Sequence, residues 1–347
     1  MDNPFTIAFG RKPHQYISRL STTNKIYETY TAEHPSSRVY MITGIRGSGK
    51  TVLMTEIVSI FKNNDAWVTV ELNPEQDLLE DLASKLYSKP ALKPIFLEAK
   101  PDLSFFGIGK SIENGISLTN IESAIGMMLD ALKKHKKKLL IAIDEVTNSK
   151  NVKVFASAFQ IFMRQEHDVF LIMTGLYENI FNLQNEKTLT FLYRAPKIIL
   201  EPLNINAIIR SYQKIFNISE NDAAEMGMAT KGYAFAYQVL GYIRWENRSK
   251  KLEKLFPEYD QYLEEFVYDK IWSEMSAKDI QVITAIADYN EVKVKELLTE
   301  LKMSSSLFST YRGRLNKKGL IDTSRYGYVS LTLPRFSGYV KRKKIIE

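Results

Sequence analysis

Residues 39–51 read VYMITGIRGSGKT, and the fold turns on how this stretch divides. VYMIT is a short β-prone run, and from Thr51 onward TVLMTEIVSIF places apolar residues at helical spacing. Between them, GIRGSGKT at 44–51 satisfies G-x-x-x-x-G-K-[ST] and sits where that motif has a mechanism, between a strand and a helix. Gly44, Gly47 and Gly49 let the backbone turn inward, so that the N–H groups of the loop, Ile45, Arg46 and Ser48 included, surround a β-phosphate. Lys50 brings a point charge to the β- and γ-phosphates, Thr51 a hydroxyl for Mg²⁺, and the helix N-terminus its dipole.

Outward from the loop, further strands are expected at 66–72 (AWVTVEL), 139–144 (LLIAID), 169–174 (VFLIMT) and 197–200 (KIIL). The third and fourth are near-continuous apolar runs, as strands buried on both faces of a parallel sheet are. Strands alternating with helical stretches imply a doubly wound α/β core. Residues 89–120, rich in Pro and Gly, carry two alternating stretches, LSFFGIG and SIENGISL, that read as an inserted hairpin. From Asn204 to about Trp245 the spacing is helical, and a Lys- and Glu-rich linker follows at 247–260. Beyond it, Ser276 and Asp279 form a capping box before QVITAIA, VKVKELLTEL gives a second helix, and a third runs from about Ser305 to Lys318 and stops at Gly319. LIDT and YVSLTL then make two strands joined by SRYG, which completes the layout of a winged helix-turn-helix. On the third helix Leu307, Tyr311 and Leu315 are expected to face the core.

Asp144-Glu145 ends the apolar strand LLIAID. An aspartate there can hold the Mg²⁺ shell, and the adjacent glutamate can polarise a water for attack on the γ-phosphate. Two acids that merely carry a strand into solvent are the plainer reading, outweighed by the loop upstream. Adjacent Asp and Glu, with no N-K-x-D sequence, favour ATP over GTP hydrolysis. Thr174, closing the next strand, is placed to hydrogen-bond the γ-phosphate or the attacking water, or else to form a turn. Arg194, just before the fifth strand, either reaches a γ-phosphate in trans across a subunit interface or pairs with a surface carboxylate.

These features resemble the AAA+ superfamily and the signal-transduction NTPases with numerous domains, in particular prokaryotic ATP-binding proteins related to origin-recognition ATPases. The opening NPFTIAFGRKP with Ile17-Ser18-Arg19 looks like that group's N-terminal arm, which flanks the adenine, with Ser18 where a glycine is usual. The phosphate loop, LLIAIDEV, MTGLYENI and YRAPKIILEPL follow in family order, and GYAFAYQVLGYIRW at 232–245 looks like the lid, with Ala234 replacing a common proline. Phe235 stands where such lids often carry a sensor arginine, and Lys231 is a weak substitute. The resemblance implies an α/β chain: an N-terminal arm at 1–20, a P-loop NTPase core with a parallel sheet at 21–203 carrying the hairpin insertion at about 89–120, a helical lid and linker at 204–270, and a winged helix-turn-helix at 271–347.

With 347 residues, 45% apolar and 25% charged, the chain has material for two or three globular domains. It contains no cysteine, which excludes disulfides, thiol catalysis and cysteine-ligated metals. The N-terminus lacks the apolar stretch of a signal peptide and no apolar run reaches the 18 or so residues of a membrane span, so a cytoplasmic protein is expected. The net charge is +7, and residues 270–347 hold 15 Lys and Arg against 8 Asp and Glu, leaving 32 of each sign in residues 1–269. That asymmetry points to a nucleic-acid-facing module or to a solubilising basic tail. Ser305, Ser309, Arg312, Arg314 and Lys317 on the third helix, with Arg325 beyond it, suit base edges and phosphates of duplex DNA. The run KKHKKK at 133–138 is explained by cations closing a helix. The expected function is an ATP-binding and ATP-hydrolysing, Mg²⁺-dependent AAA+-type switch that controls a DNA-binding winged helix, assembling into a homo-oligomer if Arg194 acts in trans. The alternative is a slow nucleotide switch whose winged helix binds a protein partner; a P-loop kinase acting on a small molecule is disfavoured by the Asp-Glu pair.

Overall fold

The computed structural model describes residues 2–8, 13–99, 101–102, 116–117 and 120–346. Its strands are β1 Val39–Thr43, β2 Trp67–Leu72, β3 Pro101–Asp102, β4 Ile116–Ser117, β5 Lys138–Ile143, β6 Val169–Gly175, β7 Lys197–Ile199, β8 Val292–Lys293, β9 Ile321–Asp322 and β10 Tyr328–Leu331. The chain forms two compact units, one of Leu20–Thr43 and Leu53–Ile199, the other of Met1–Arg19, Gly44–Val52 and Leu200–Glu347.

The first unit is built on a five-stranded parallel sheet in the order β2-β5-β6-β1-β7. Alternation along the strands gives each face its own partners. Val39, Met41, Val70, Ile141 and Leu171 share one apolar core with the helices Leu78–Ser88, Ile121–Lys134 and Lys150–Arg164. On the opposite face Tyr40, Trp67 and Phe170 meet Tyr30 and Phe61, with Phe61 4.4 Å from Trp67 and Tyr30 4.9 Å from Phe170 between ring centres. Tyr30 buries its ring there because its hydroxyl donates to the Leu171 carbonyl at 2.7 Å. The three helices on the first face start where Asp77, Asn120 and Ser149 accept hydrogen bonds from backbone N–H groups of the opening turn, a cap worth about 1 kcal/mol each.

Of the stretch 89–120, in which an inserted hairpin is expected, only 89–99, 101–102, 116–117 and 120 are described. Pro90–Leu92 is a 3₁₀ turn and Lys93–Ala99 a helix, while β3 and β4 pair in parallel, not as a hairpin. Pro90 and Pro94 read as breakers in the sequence, but both fall in opening turns, where proline costs no hydrogen bond. Leu92, Ile95 and Phe96 recur at helical spacing and are buried in the core. The rest of the expected hairpin, 103–115 and 118–119, lies outside the described residues. The lysine run does close its helix: Lys133 donates to the Glu166 carbonyl and Lys137 to that of Asp65, and Lys138 lies over the Trp67 ring.

The second unit has one continuous core, from Phe5 in the N-terminal arm to Val340 near the other end. Phe5 stacks on Phe216 and meets Tyr212 and Tyr237, directly over Gly241, where any Cβ would lie 2.5 Å from its ring. The helices Ile205–Phe216, Glu220–Ala229 and Ala234–Glu246 are followed by Phe256–Leu263, a π-helical turn at Glu264–Tyr268, and Asp269–Ser273. The chain then runs helix Ala277–Ala287, β8, helix Val294–Leu301, helix Ser305–Lys317, β9, β10 and helix Phe336–Ile346, with a three-stranded antiparallel sheet ordered β8-β10-β9. The capping box at Ser276 and Asp279 is present in both directions, and Gly319, at φ +78°, ends the third helix.

The core face of that third helix differs from expectation. Leu307 is 43% exposed, whereas Phe308 and Leu315 are buried and Tyr311 is half-buried between them. Phe308 and Leu315 are seven residues apart, two turns on one stripe, and the larger ring takes the interior in place of Leu307. Among the described residues no helix is long and apolar enough to cross a membrane.

Candidate functional site

The phosphate loop, in the second unit, owes its shape to glycines. Gly47 (φ +74°) and Gly49 (φ +90°) take left-handed conformations that a side chain would strain, and the helix begins at Lys50. The Lys50 ammonium donates to the carbonyls of Gly44 and Ile45 at 3.1 Å each, folded into the loop's own concavity. Ser48 donates its N–H to Ile45, while its hydroxyl is buried with no hydrogen-bond partner. A buried orphan hydroxyl, a lysine ammonium and a helix N-terminus in one turn are a donor set that fits a phosphate.

The start of helix Ala234–Glu246 is fastened to this loop. Tyr233 is the N-cap of helix Ala234–Glu246 and makes no side-chain cap; its hydroxyl instead donates to the Arg46 carbonyl at 2.6 Å. Phe235 donates its N–H to the Gly47 carbonyl at 3.1 Å, so the loop accepts from an N–H that a helix start leaves without an intrahelical partner. A Cβ on Gly47 would stand 2.2 Å from the Tyr233 hydroxyl, a second reason for glycine there. Arg46 forms an ion pair with Glu274 at 3.0 Å. From the arm, Arg19 donates to the Ser48 carbonyl at 3.3 Å; burial lowers its pKa and Glu201 opposes that shift.

In the first unit, β5 ends at Ile143 and Asp144-Glu145 follow; β6 carries Thr174, paired in register with Ile42 of β1. The Thr174 hydroxyl donates to the Asp144 carboxylate and accepts from the Glu145 N–H at 3.3 Å, which is shared with Asp144 Oδ1 at 3.0 Å. Glu145 is left-handed (φ +54°) and its side chain is exposed. Thr174 therefore braces the acid pair, a link the sequence does not reveal because the two segments are 30 residues apart. Arg194 is the last residue of the short helix Thr190–Arg194 and is exposed.

In the C-terminal segment, Ser305, Ser309 and Lys317 are exposed on the third helix. Arg312 is half-buried, with an Nε that meets no acceptor. Arg314 points inward: it donates to Asp279, which is 1% exposed, and to the Ser276 hydroxyl at 3.0 Å. Arg325 pairs with Glu291 and covers the Tyr328 ring, while Tyr326 beside it is 98% exposed. Tyr233, Glu274 and Arg19 were not singled out from the sequence for contact with the loop. Only Tyr233 carried a signal, as an aromatic directly after the lid glycine.

Residues 19–190 match a family described as an ATPase domain predominantly from Archaea, and residues 265–340 match a domain of unknown function. No curated protein matches the chain. Among solved structures the chain is similar to the Walker-type ATPase PABY2304 of Pyrococcus abyssi, at 14% identity and a TM-score of 0.64 over 97% of this chain and 99% of that one. It is also similar to the ORC2 protein of Aeropyrum pernix, solved as ADPNP–ADP complexes, at 12% identity and a TM-score of 0.63 over 98% of each chain. At such identities the likeness is one of fold. Family match and fold agree: residues 19–190 match a family of ATPase domains found predominantly in Archaea, and the chain is similar in fold to a Walker-type ATPase and to an ORC2 protein.

Proposed function

We propose that the chain binds ATP at Gly44–Thr51, hydrolyses it, and uses the nucleotide state to control a C-terminal winged helix that binds duplex DNA. The observation that carries the reading is the loop itself: two left-handed glycines, the buried unpartnered Ser48 hydroxyl, and Lys50 at the start of its helix. The N–H groups of the loop and Lys50 hold the phosphates. Thr51 and Asp144 are the residues that would hold Mg²⁺, which when bound offsets phosphate charge. Glu145 orients and deprotonates the attacking water, and Thr174 keeps Asp144 and the Glu145 backbone in place. Arg194, exposed at a helix end, is assigned to a neighbouring copy's nucleotide. The nucleotide complexes of the Aeropyrum pernix ORC2 protein support nucleotide binding by a chain of this fold.

For the C-terminal module, DNA binding rests on Ser305, Ser309, Arg312 and Lys317. A protein partner is the second reading, favoured by the inward commitment of Arg314, by the surface pairing of Arg325 with Glu291 and by the exposure of Leu307 and Tyr326. The nucleotide reading is tested by thermal unfolding with and without ATP and Mg²⁺. At 100 times its dissociation constant a ligand specific to the folded state adds about 2.7 kcal/mol. Lys50→Ala should remove most of that gain, and an undiminished gain in the variant rules out the loop as the site.

A further inference from the structure

We propose that Tyr233 and Glu274 position the phosphate loop through Arg46, one gripping its backbone and the other its side chain. This rests on the nucleotide reading above and names what sets the affinity of that site.

A trans peptide holds the carbonyl of one residue and the N–H of the next in one plane, pointing in opposite directions. The Tyr233 hydroxyl fixes the Arg46 carbonyl and so fixes the direction of the Gly47 N–H; the Phe235 N–H does the same for the Gly47 carbonyl and the Ser48 N–H. Tyr233 is only 6% exposed, and burial pushes its hydroxyl pKa up, so the group stays a proton donor across the working range. The glycines alone leave the loop free to turn its N–H groups elsewhere, since left-handed glycine has several accessible conformations. Two outside donors on successive carbonyls remove that freedom before the ligand arrives, and an oriented donor set binds an anion without the ordering cost.

The second grip is electrostatic. Glu274 follows Asp269–Ser273, the short helix just before the C-terminal module, and pairs with Arg46 at 3.0 Å while Lys270 lies 3.6 Å from the same oxygen. Arg46 thus ties the loop to the segment that leads into the module. Its Nε is buried without a partner, so Glu274 is held through Nη2 alone.

The test is calorimetry on the full chain with ADP and with AMP, alongside the melting temperature without nucleotide. ADP presents the β-phosphate that the loop surrounds and AMP does not. Tyr233→Phe, which removes one buried donor and keeps the ring, should weaken ADP about ten-fold and AMP by no more than about two-fold. A role in folding alone would lower the melting temperature and leave the ADP-to-AMP ratio unchanged. An unchanged ratio in a folded variant overturns the proposal for Tyr233. Glu274→Gln, at a half-exposed ion pair away from the core, should weaken ADP about three-fold at low salt, with the difference gone at about 1 M NaCl. No difference at low salt overturns the proposal for Glu274, and this variant keeps the idea testable if Tyr233→Phe does not fold. Lys50→Ala separates the two levels. If it retains full ADP affinity, the nucleotide reading fails and this inference with it; if it loses ADP while Tyr233→Phe and Glu274→Gln bind normally, only the positioning roles fail.

Discussion

Salt dependence is the sharpest test of the C-terminal module, because the structure changes the number it should give. Each phosphate neutralised by a cation contributes about −0.9 to the slope of log K against log salt on duplex DNA. Had Arg312, Arg314, Lys317 and Arg325 all met phosphates, the slope would be about −3.6. Arg314 and Arg325 pair with Asp279 and Glu291 within the chain, so phosphate contacts by Arg312 and Lys317 alone would give a slope of about −1.8. Over a four-fold rise in salt the first case loses about 150-fold in affinity and the second about 12-fold, an easy distinction by fluorescence anisotropy with a labelled duplex. Replacing Arg312 and Lys317 by alanine should flatten the response. Arg314→Ala should leave the slope alone and cost about 3 kcal/mol of stability, since it strips a main partner from a carboxylate that is 1% exposed, although Lys318 remains 3.8 Å away. A slope near −3.6 that Arg314→Ala reduces by one unit would refute the reasoning, because Arg314 would then have left Asp279 for the DNA. A flat response with and without ATP would refute DNA binding and favour the protein partner.

Two further outcomes follow from the site and the sheet. Glu145→Gln should keep nucleotide affinity and lower the hydrolysis rate by about 10² or more, and Thr174→Val should lower it less, about ten-fold, with little change in KM; a Thr174→Val that alters KM alone would show that the hydroxyl serves binding and not the acid pair. His167 is 4% exposed, edge-on to Phe162, and burial lowers its pKa against the opposing pull of Asp130. The folded state then binds this proton less readily than the unfolded chain, so the His167 contribution is full above the unfolded value of about 6.5 and is lost as pH falls through the folded pKa. Melting curves from pH 7.5 to 5 should show that loss in the native chain and a flatter response in His167→Gln; an equally steep fall in the variant would assign it to other groups.

The sheet was legible because each core strand is a short apolar run and β1 leads straight into a motif that admits one local structure. The expected strands agree with β1, β2, β5, β6 and β7 to within a residue at each end. What the sequence hid was of two kinds. Where the local signal has two readings, neighbours decide between them: Pro90 and Pro94 open helical turns, and Phe308 takes the core position in place of Leu307, because turn chemistry and ring size decide only once the neighbours are in place. Where the site is built by contacts between distant segments, no local signal names the partner. Tyr233 is 187 residues from Arg46 and Glu274 is 228, and Thr174 reaches Asp144 from the next strand of the sheet. The motif names the groups that would touch phosphate, but the partners that hold them come from the fold.

Charge teaches the same lesson with a different sign. Cut at residue 270, the last stretch of chain carries 15 cations against 8 acids. Among the described residues that cut severs three ion pairs whose cation lies beyond it: Arg335 with Asp260, Arg342 with Glu264 and Lys343 with Asp269. The acids lie on the helical run just before the cut, packed with the C-terminal helix into one core, and Tyr268 from the same run donates to the Pro334 carbonyl at 2.6 Å. Start instead at Phe256, where that run begins, and the same 15 cations face 13 acids, because Glu258, Asp260, Glu264, Glu265 and Asp269 are now counted; the excess falls from +7 to +2. Lys341 and Lys344 are likewise spent on Asp288. The bulk asymmetry that suggested a polyanion partner is therefore mostly the imprint of helix Phe336–Ile346 docking on acids of its own chain, and it gives no measure of DNA affinity. Variants at Arg312 and Lys317, on helix Ser305–Lys317, therefore test DNA binding more directly than net charge does.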